Sequence, residues 1–219
     1  MHIAIAGKAG SGKSTAAKWL RDTHGYTIRS IAAKIKEICA LHKAVVDGGA
    51  DAIAALEAHI ADVLPDDVEM VMPAVRDAFA RTPIVEGKPR RLLQVVGTDI
   101  IRAVQHDVWV DYLIRSVAKD GRVVVDDVRF RNEWEAFDAA GWLTVYCAAP
   151  PSIRDKRLTA DYGKPLSDAE KHHPSECDLD RLSPDDWGYI LNTAGSMASE
   201  RAQVDEMMAE VLADGPSDD

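Results

Sequence analysis

His2-Ile3-Ala4-Ile5-Ala6 followed by Gly7-Lys8-Ala9-Gly10-Ser11-Gly12-Lys13-Ser14 decides the fold. So short an apolar run, closed by a glycine, reads as a buried parallel strand. The residues after it fit G-x-x-x-x-G-K-[ST], a phosphate-binding loop when it lies between a strand and a helix. Glycine torsions turn successive N–H groups inward to form an anion nest, and the amino end of the next helix adds partial positive charge. In that geometry Gly10, Ser11, Gly12, Lys13, Ser14 and Thr15 surround the phosphates of a nucleotide. Lys13 reaches the β- and γ-phosphates, and the Ser14 hydroxyl ligates Mg²⁺.

Outward from this loop, apolar runs at 123–127, 143–148 and 189–191, with a weaker one at 26–29, predict further buried strands. Helical spacing predicts helices over 13–22, 35–41, 131–140 and 199–212. Gly141 stands just past the third of these, and Val204, Met207, Met208, Val211 and Leu212 form the stripe of the fourth. Strands alternating with helices imply a parallel sheet covered on both faces. The stretch 44–89 breaks this rhythm. Ile53, Leu56, Ile60, Val63 and Leu64 share one helix face, a short helix is expected at 74–80, and two more at 91–105 and 108–119. We read the chain as one domain, 1–219, with a helical insertion at about 44–119 and a smaller lid at about 151–174. Such inserts hold a second substrate or close over a site.

The composition narrows the function classes. Against 26 Lys and Arg stand 36 Asp and Glu, a net charge of -10, which argues against coating duplex nucleic acid or an anionic membrane. Small anionic ligands need only a few placed cations. Cys39, Cys147 and Cys177 are odd in number and without metal-ligand spacing, as expected of free thiols in a reducing compartment. No apolar stretch is long enough to span a membrane, and the first residues lack the basic and long apolar regions of a secretion signal. A cytoplasmic location is the expectation. The end at 215–219 reads as a solvated tail.

A second chemical signal is Val123-Val124-Val125-Asp126-Asp127-Val128-Arg129-Phe130-Arg131-Asn132-Glu133. An apolar strand ending in carboxylates delivers an acid to Mg²⁺ or its water shell, in the manner of a Walker B strand. Whether Asp126 or Asp127 faces the metal depends on register, since a one-residue slip exchanges the two. Arg129 and Arg131 are candidate anion ligands, because guanidinium pairs bidentately with phosphate. Trp19, Trp134, Trp142 and Trp187 are expected in the core, and His172 and His173 are not expected to be catalytic.

Taken together, 7–15, Arg91-Leu92-Leu93-Gln94 with Gly97-Thr98-Asp99 and Arg102, Trp109-Val110, Asp127-Val128-Arg129-Phe130 with Asn132-Glu133, His173-Pro174-Ser175-Glu176 and Asn192-Thr193-Ala194-Gly195-Ser196 resemble the bacteriophage deoxynucleoside monophosphate kinases. The likeness runs in order through nearly the whole chain. It implies an α/β P-loop NTPase sandwich of three layers, with a parallel five-stranded sheet in the order 2-3-1-4-5. It also implies transfer of the γ-phosphoryl group of ATP to a dNMP with Mg²⁺, and a homodimer. On the same basis Lys36 would hold the acceptor phosphate, although Lys34 stands where the family's proline occurs and is a second candidate. Arg91 and Arg129 would hold the dNMP phosphate, with Glu133, Ser175 and Glu176 near the sugar or base. Arg154 and Arg157 would be lid arginines over the transferring group, with Lys13, Arg129 and Asp127 completing the catalytic set. Ser14, Asp126 and Asp127 would serve the metal. Asn192 and Gly195 would border the adenine, unless that loop is an ordinary turn with Ser196 or Ser199 as helix cap. The helix at 51–64 is open to two readings, a dimer face or part of the acceptor lid. Rival readings keep the same fold with another phosphorylated acceptor, of dephospho-coenzyme A or phosphomevalonate type, or a non-kinase ATP-dependent switch.

Overall fold

A computed structural model describes residues 1–87 and 89–213. The expected tail at 215–219 and Lys88 of the 86–89 turn lie outside the described residues. In chain order the elements begin with β1 (Ile3–Ala6), α1 (Lys13–His24), β2 (Thr27–Arg29), α2 (Ala33–Ala40), α3 (His42–Val46), α4 (Ala50–Val63) and α5 (Val68–Arg81). Next come α6 (Arg90–Gln94), a π-helical stretch Val95–Ile101, α7 (Arg102–Val104) and α8 (Val108–Val117). The chain continues with β3 (Val123–Val128), α9 (Arg131–Ala139), β4 (Leu143–Ala148), α10 (Pro151–Tyr162), α11 (Asp168–Lys171), α12 (Pro174–Cys177), β5 (Tyr189–Asn192) and α13 (Met197–Ala213). These elements form two compact units, one of Met1–Ser30 with the chain from Lys119 onward, the other Ile31–Ala118.

Among the described residues the first unit has a five-stranded parallel sheet in the order β2-β3-β1-β4-β5. β1 is central and wholly buried, which its uninterrupted apolar run requires. Ile3 and Ile5 pack with Ala16, Ala17 and Leu20 of α1 and Val204, Met207 and Met208 of α13 on one face. On α9, Phe137 is buried against Trp142, with ring centroids 4.6 Å apart. Helices therefore cover both faces, as the alternation of elements predicts. Leu20 has no exposed surface, and its burial contributes about 2 kcal/mol. α1 ends where Gly25 adopts φ 70° and its N–H meets the Leu20 carbonyl. Gly141, at φ 73°, follows α9 in the same way.

The register between β1 and β3 shifts, from Ala4 opposite Val125 to Ala6 opposite Val128. This irregularity falls at Asp126 and Asp127, inside the last residues of β3, and suspends simple alternation there. It explains why period-two reasoning left their facing open.

The second unit is helical. α4 buries Leu56, Ile60 and Val63, and α5 buries Val71, Val75, Ala78 and Phe79. α5 begins at Val68, not near 74, and carries Pro73 inside it. Proline forfeits one backbone hydrogen bond, but the apolar stripe running through it outweighs that loss. The helix expected over 91–105 runs without interruption from Arg90 to Val104, as α6, a π-helical segment and α7. A Cβ on Gly97 would stand 3.0 Å from Ile35 Cγ1, so this position packs only as glycine without a shift of Ile35. The Gly97 carbonyl also accepts the Trp109 indole N–H at 3.1 Å. Gly97 and Trp109 thus belong to one contact, which explains why both stand out in the sequence.

Candidate functional site: a glycine-lined phosphate cradle

The loop between β1 and α1 has the geometry that its sequence demands. Gly7, Gly10 and Gly12 have φ values of 142°, 74° and 94°, torsions that side chains with a Cβ rarely adopt. A Cβ on Gly7 would stand 2.7 Å from the Cys147 carbonyl oxygen, and one on Gly10 would stand 2.9 Å from that of Arg154. The loop is therefore clasped by β4 on one side and α10 on the other. Lys13 opens α1 and is buried, its Nζ donating to the Gly7 carbonyl at 2.6 Å and the Lys8 carbonyl at 3.0 Å. Burial first, and the neighbouring Arg129 second, lower its pKa to about 8. Ser14 is exposed beside it.

At the end of β3, the Ser30 hydroxyl donates to Asp127 Oδ2 at 2.6 Å. Asp126 is half-buried and close enough to Lys13 to favour its charged form. Arg129 follows. Its guanidinium pairs with Glu176 Oε1 at 2.5 Å, and its backbone N–H donates to Glu133 Oε2 at 2.8 Å. The same Glu133 oxygen accepts the Phe130 N–H at 3.0 Å, so this buried carboxylate ties the start of α9 to the strand end.

Three further expected residues lie around the loop. Arg157 donates to the Gly10 carbonyl at 3.3 Å and to the Thr193 carbonyl at 2.7 Å. Arg154 is half-buried one turn earlier on α10. Ser175 pairs with His173 Nδ1 at 2.9 Å. In the loop after β5, Asn192 Oδ1 accepts the Ala194 N–H at 3.1 Å, and Ser196 Oγ accepts the Ser199 N–H at 3.2 Å. Ser196 therefore caps α13, and the loop is a tight turn whose Thr193 hydroxyl donates to the Ser11 carbonyl at 2.6 Å. Lys36 and Arg91 belong to the helical unit, where both are exposed. Lys36 lines a cavity of about 280 Å³ with Cys39, Lys43, Val85 and Leu93. Lys34 is buried there, donating to Asp62 at 2.7 Å and held 2.8 Å from His59 Nδ1.

Sequence reasoning missed Glu200. It is 2% exposed, its Oε1 has no hydrogen-bond partner, and Arg157 lies 3.9 Å from its Oε2. Burial raises its pKa to about 7, against the pull of Arg157. A signal existed: Glu200 precedes Val204 by four residues, so a charge sits on the apolar stripe of α13. Lys8 and Asp180, paired at 2.7 Å, were also missed. Among the described residues no cluster of three or more His, Cys, Asp or Glu could hold a metal ion. A hard cation sharing ligands with a nucleotide needs fewer protein donors. The Ser14 hydroxyl and the Asp126 carboxylate fit that oxygen-only donor set.

Fold and loop define a P-loop α/β protein with sheet order 2-3-1-4-5. No protein-family model and no curated protein matches the chain. Among solved structures, it is similar to TT1252 from Thermus thermophilus, with 20% identity, 99% of this chain and 98% of that one covered, and a TM-score of 0.49. It is similar at 14% identity to shikimate kinase from Acinetobacter baumannii, solved with shikimate, with 99% and 95% covered and a TM-score of 0.49. A gluconokinase from Sinorhizobium meliloti 1021 aligns at 14% identity, with 98% and 97% covered and a TM-score of 0.49. No helix among the described residues is long and apolar enough to cross a membrane.

Proposed function

We propose that the protein is an ATP-dependent kinase that transfers the γ-phosphoryl group of ATP to a deoxynucleoside 5′-monophosphate, giving dNDP and ADP, in the cytoplasm and as a homodimer. One observation carries this reading. A buried lysine is drawn across a three-glycine loop, with an arginine and a carboxylate from the neighbouring strand end close enough to shift its pKa. That is a machine for neutralising phosphate charge, and phosphoryl transfer requires little else.

In this reading the loop amides and Lys13 hold the ATP phosphates, with Thr15 beside them; the turn at 192–196, while its Ser196 caps α13, also borders the adenine through Asn192 and Gly195. Ser14 and Asp126 would hold Mg²⁺, with Asp127, fixed by Ser30, behind them; the ion supplies charge neutralisation between the phosphates. An oxygen of the acceptor phosphate attacks the γ-phosphorus while the bond to the ADP oxygen breaks. Arg129, Arg91 and Lys36 fix the acceptor phosphate, with Ser175 and Glu176 on the acceptor side. Glu133 acts through Arg129, whose amide it holds. Arg154 covers the transferring group, and Arg157 presses the loop against α10.

The test is a panel of acceptors supplied with ATP and Mg²⁺ and followed by ADP release. Stimulation by dGMP, dTMP, dCMP or dAMP supports the reading. Release driven only by a phosphorylated non-nucleotide acceptor, or unaffected by any acceptor, overturns it.

A further inference from the structure

The residues at 174–181 place two carboxylates, Glu176 and Asp180, against the phosphate cradle, with Asp178 between them turned to the amino end of α9. Glu176 Oε2 accepts the Ala9 N–H of the glycine loop at 2.8 Å, while Oε1 accepts from Arg129 at 2.5 Å. Asp178 Oδ2 accepts the Arg131 N–H at 2.7 Å, at the amino end of α9. Asp180 takes Lys8 at 2.7 Å. Glu176 is well buried, its side chain 9% exposed. The space left between Gly7, Lys8, Arg129, Tyr146 and Glu176 is about 10 Å³, enough for one water at most.

Each of these contacts is one that a phosphate oxygen makes: a loop amide, a guanidinium and an ammonium. A carboxylate on the same three donors is a phosphate's competitor. We propose that Glu176 and Asp180 form an internal anionic plug that closes the cradle, and that nucleotide phosphates displace it to bind. The exchange replaces one set of anionic oxygens by another, so it keeps Lys8, Arg129 and the Ala9 amide satisfied in both states. This is how a chain of net charge -10 can hold exposed cations without binding stray anions. It also means that Arg129 meets the acceptor only after Glu176 has left it. The plug shapes affinity by taxing the binding-competent state.

This inference rests on the loop taking a nucleotide, so the experiment separates the two. The Mg²⁺ complex of β,γ-imido-ATP is titrated calorimetrically into the full chain, with no acceptor present. Glu176→Gln keeps the shape and the loop hydrogen bond but loses the charge, and is expected to bind about tenfold tighter than wild type, the scale of one charge-assisted hydrogen bond. Asp180→Asn, at a more exposed position, is expected to gain a few-fold and carries the test if the first variant does not fold. In wild type, the ligand should speed amide hydrogen exchange at 174–181 while slowing it at 7–15. Equal or weaker binding by both variants, with wild type still binding, overturns the plug and leaves the proposed function standing. No binding by wild type or variants overturns both.

Discussion

Glu200 faces Gly12 so closely that a Cβ on that glycine would stand 2.9 Å from each carboxylate oxygen. The contact joins the first turn of α1 to the first turn of α13 beneath the phosphate cradle. Gly12 also has φ 94°, which costs a residue with a Cβ about 1–3 kcal/mol. Gly12→Ala should therefore lower stability by about that amount and weaken nucleotide binding at least tenfold. In a Glu200→Ala background the steric part disappears and only the torsional part remains. Chemical denaturation of the four proteins of that cycle gives the coupling. If Gly12→Ala costs the same in both backgrounds, the carboxylate contact has no energetic weight.

Glu200 also makes stability depend on pH. Its folded pKa of about 7 lies above the ordinary carboxylate value, so between about 4.3 and 7 the folded chain binds the extra proton. Stability must fall as pH rises through this window, by up to about 3 kcal/mol for a shift of this order. Glu200→Gln removes the slope. The variant should match wild type near pH 5 and exceed it near pH 8, in urea midpoints measured across the range. A variant that is less stable at pH 8 would mean that Arg157 needs the charge more than burial penalises it.

Lys13 gives the same direction for binding, in a higher pH window. Burial and Arg129 hold its pKa near 8, and bound polyphosphate would raise it, so nucleotide binding takes up a proton as the pH passes that value. Affinity for Mg²⁺-ATP should fall above pH 8, approaching tenfold per pH unit. Lys13→Met should lose this slope together with about 10²–10³ of turnover, the scale of a lost electrostatic stabiliser. A wild-type affinity that stays flat from pH 7 to pH 9.5 contradicts the role.

The cradle was the most legible part of the sequence because its chemistry is local. Strand, glycines, lysine and helix follow one another, and every expected strand forms within a residue or two. Gly141 was legible for the same reason, and Ser196 as one of two candidate caps in an alternative reading of its loop, since caps depend on immediate neighbours. Contacts across the chain were not. Glu176 meets Ala9 from 167 residues away, and nothing in either segment alone announces it. Asp126 and Asp127 were ambiguous because the register between β1 and β3 shifts there, and periodicity fails where a ladder is irregular. The helix expected at 74–80 begins six residues earlier, at Val68, because a stripe of Val71, Val75, Ala78 and Phe79 outweighs the one backbone bond lost at Pro73.

Lys34 and Lys36, two residues apart on α2, differ in burial and in partners. Lys34 is buried, and its ammonium is committed to Asp62 at 2.7 Å and lies over the Tyr112 ring at 5.2 Å. Asp62 keeps access to water, so removing its partner does not strand a buried charge, and Lys34→Met should cost only about 1–2 kcal/mol. Nothing in that environment favours turning towards a substrate. Lys36 is exposed, with its side chain on the cavity that also borders Cys39 and Leu93. Lys36→Met should leave thermal stability within about 0.5 kcal/mol of wild type. It should raise KM for the dNMP about tenfold or more while KM for ATP holds, because a point charge on the acceptor phosphate is lost. The melting curve and the two KM values together assign the roles. The reverse pattern, acceptor KM moved by Lys34→Met and untouched by Lys36→Met, would exchange them.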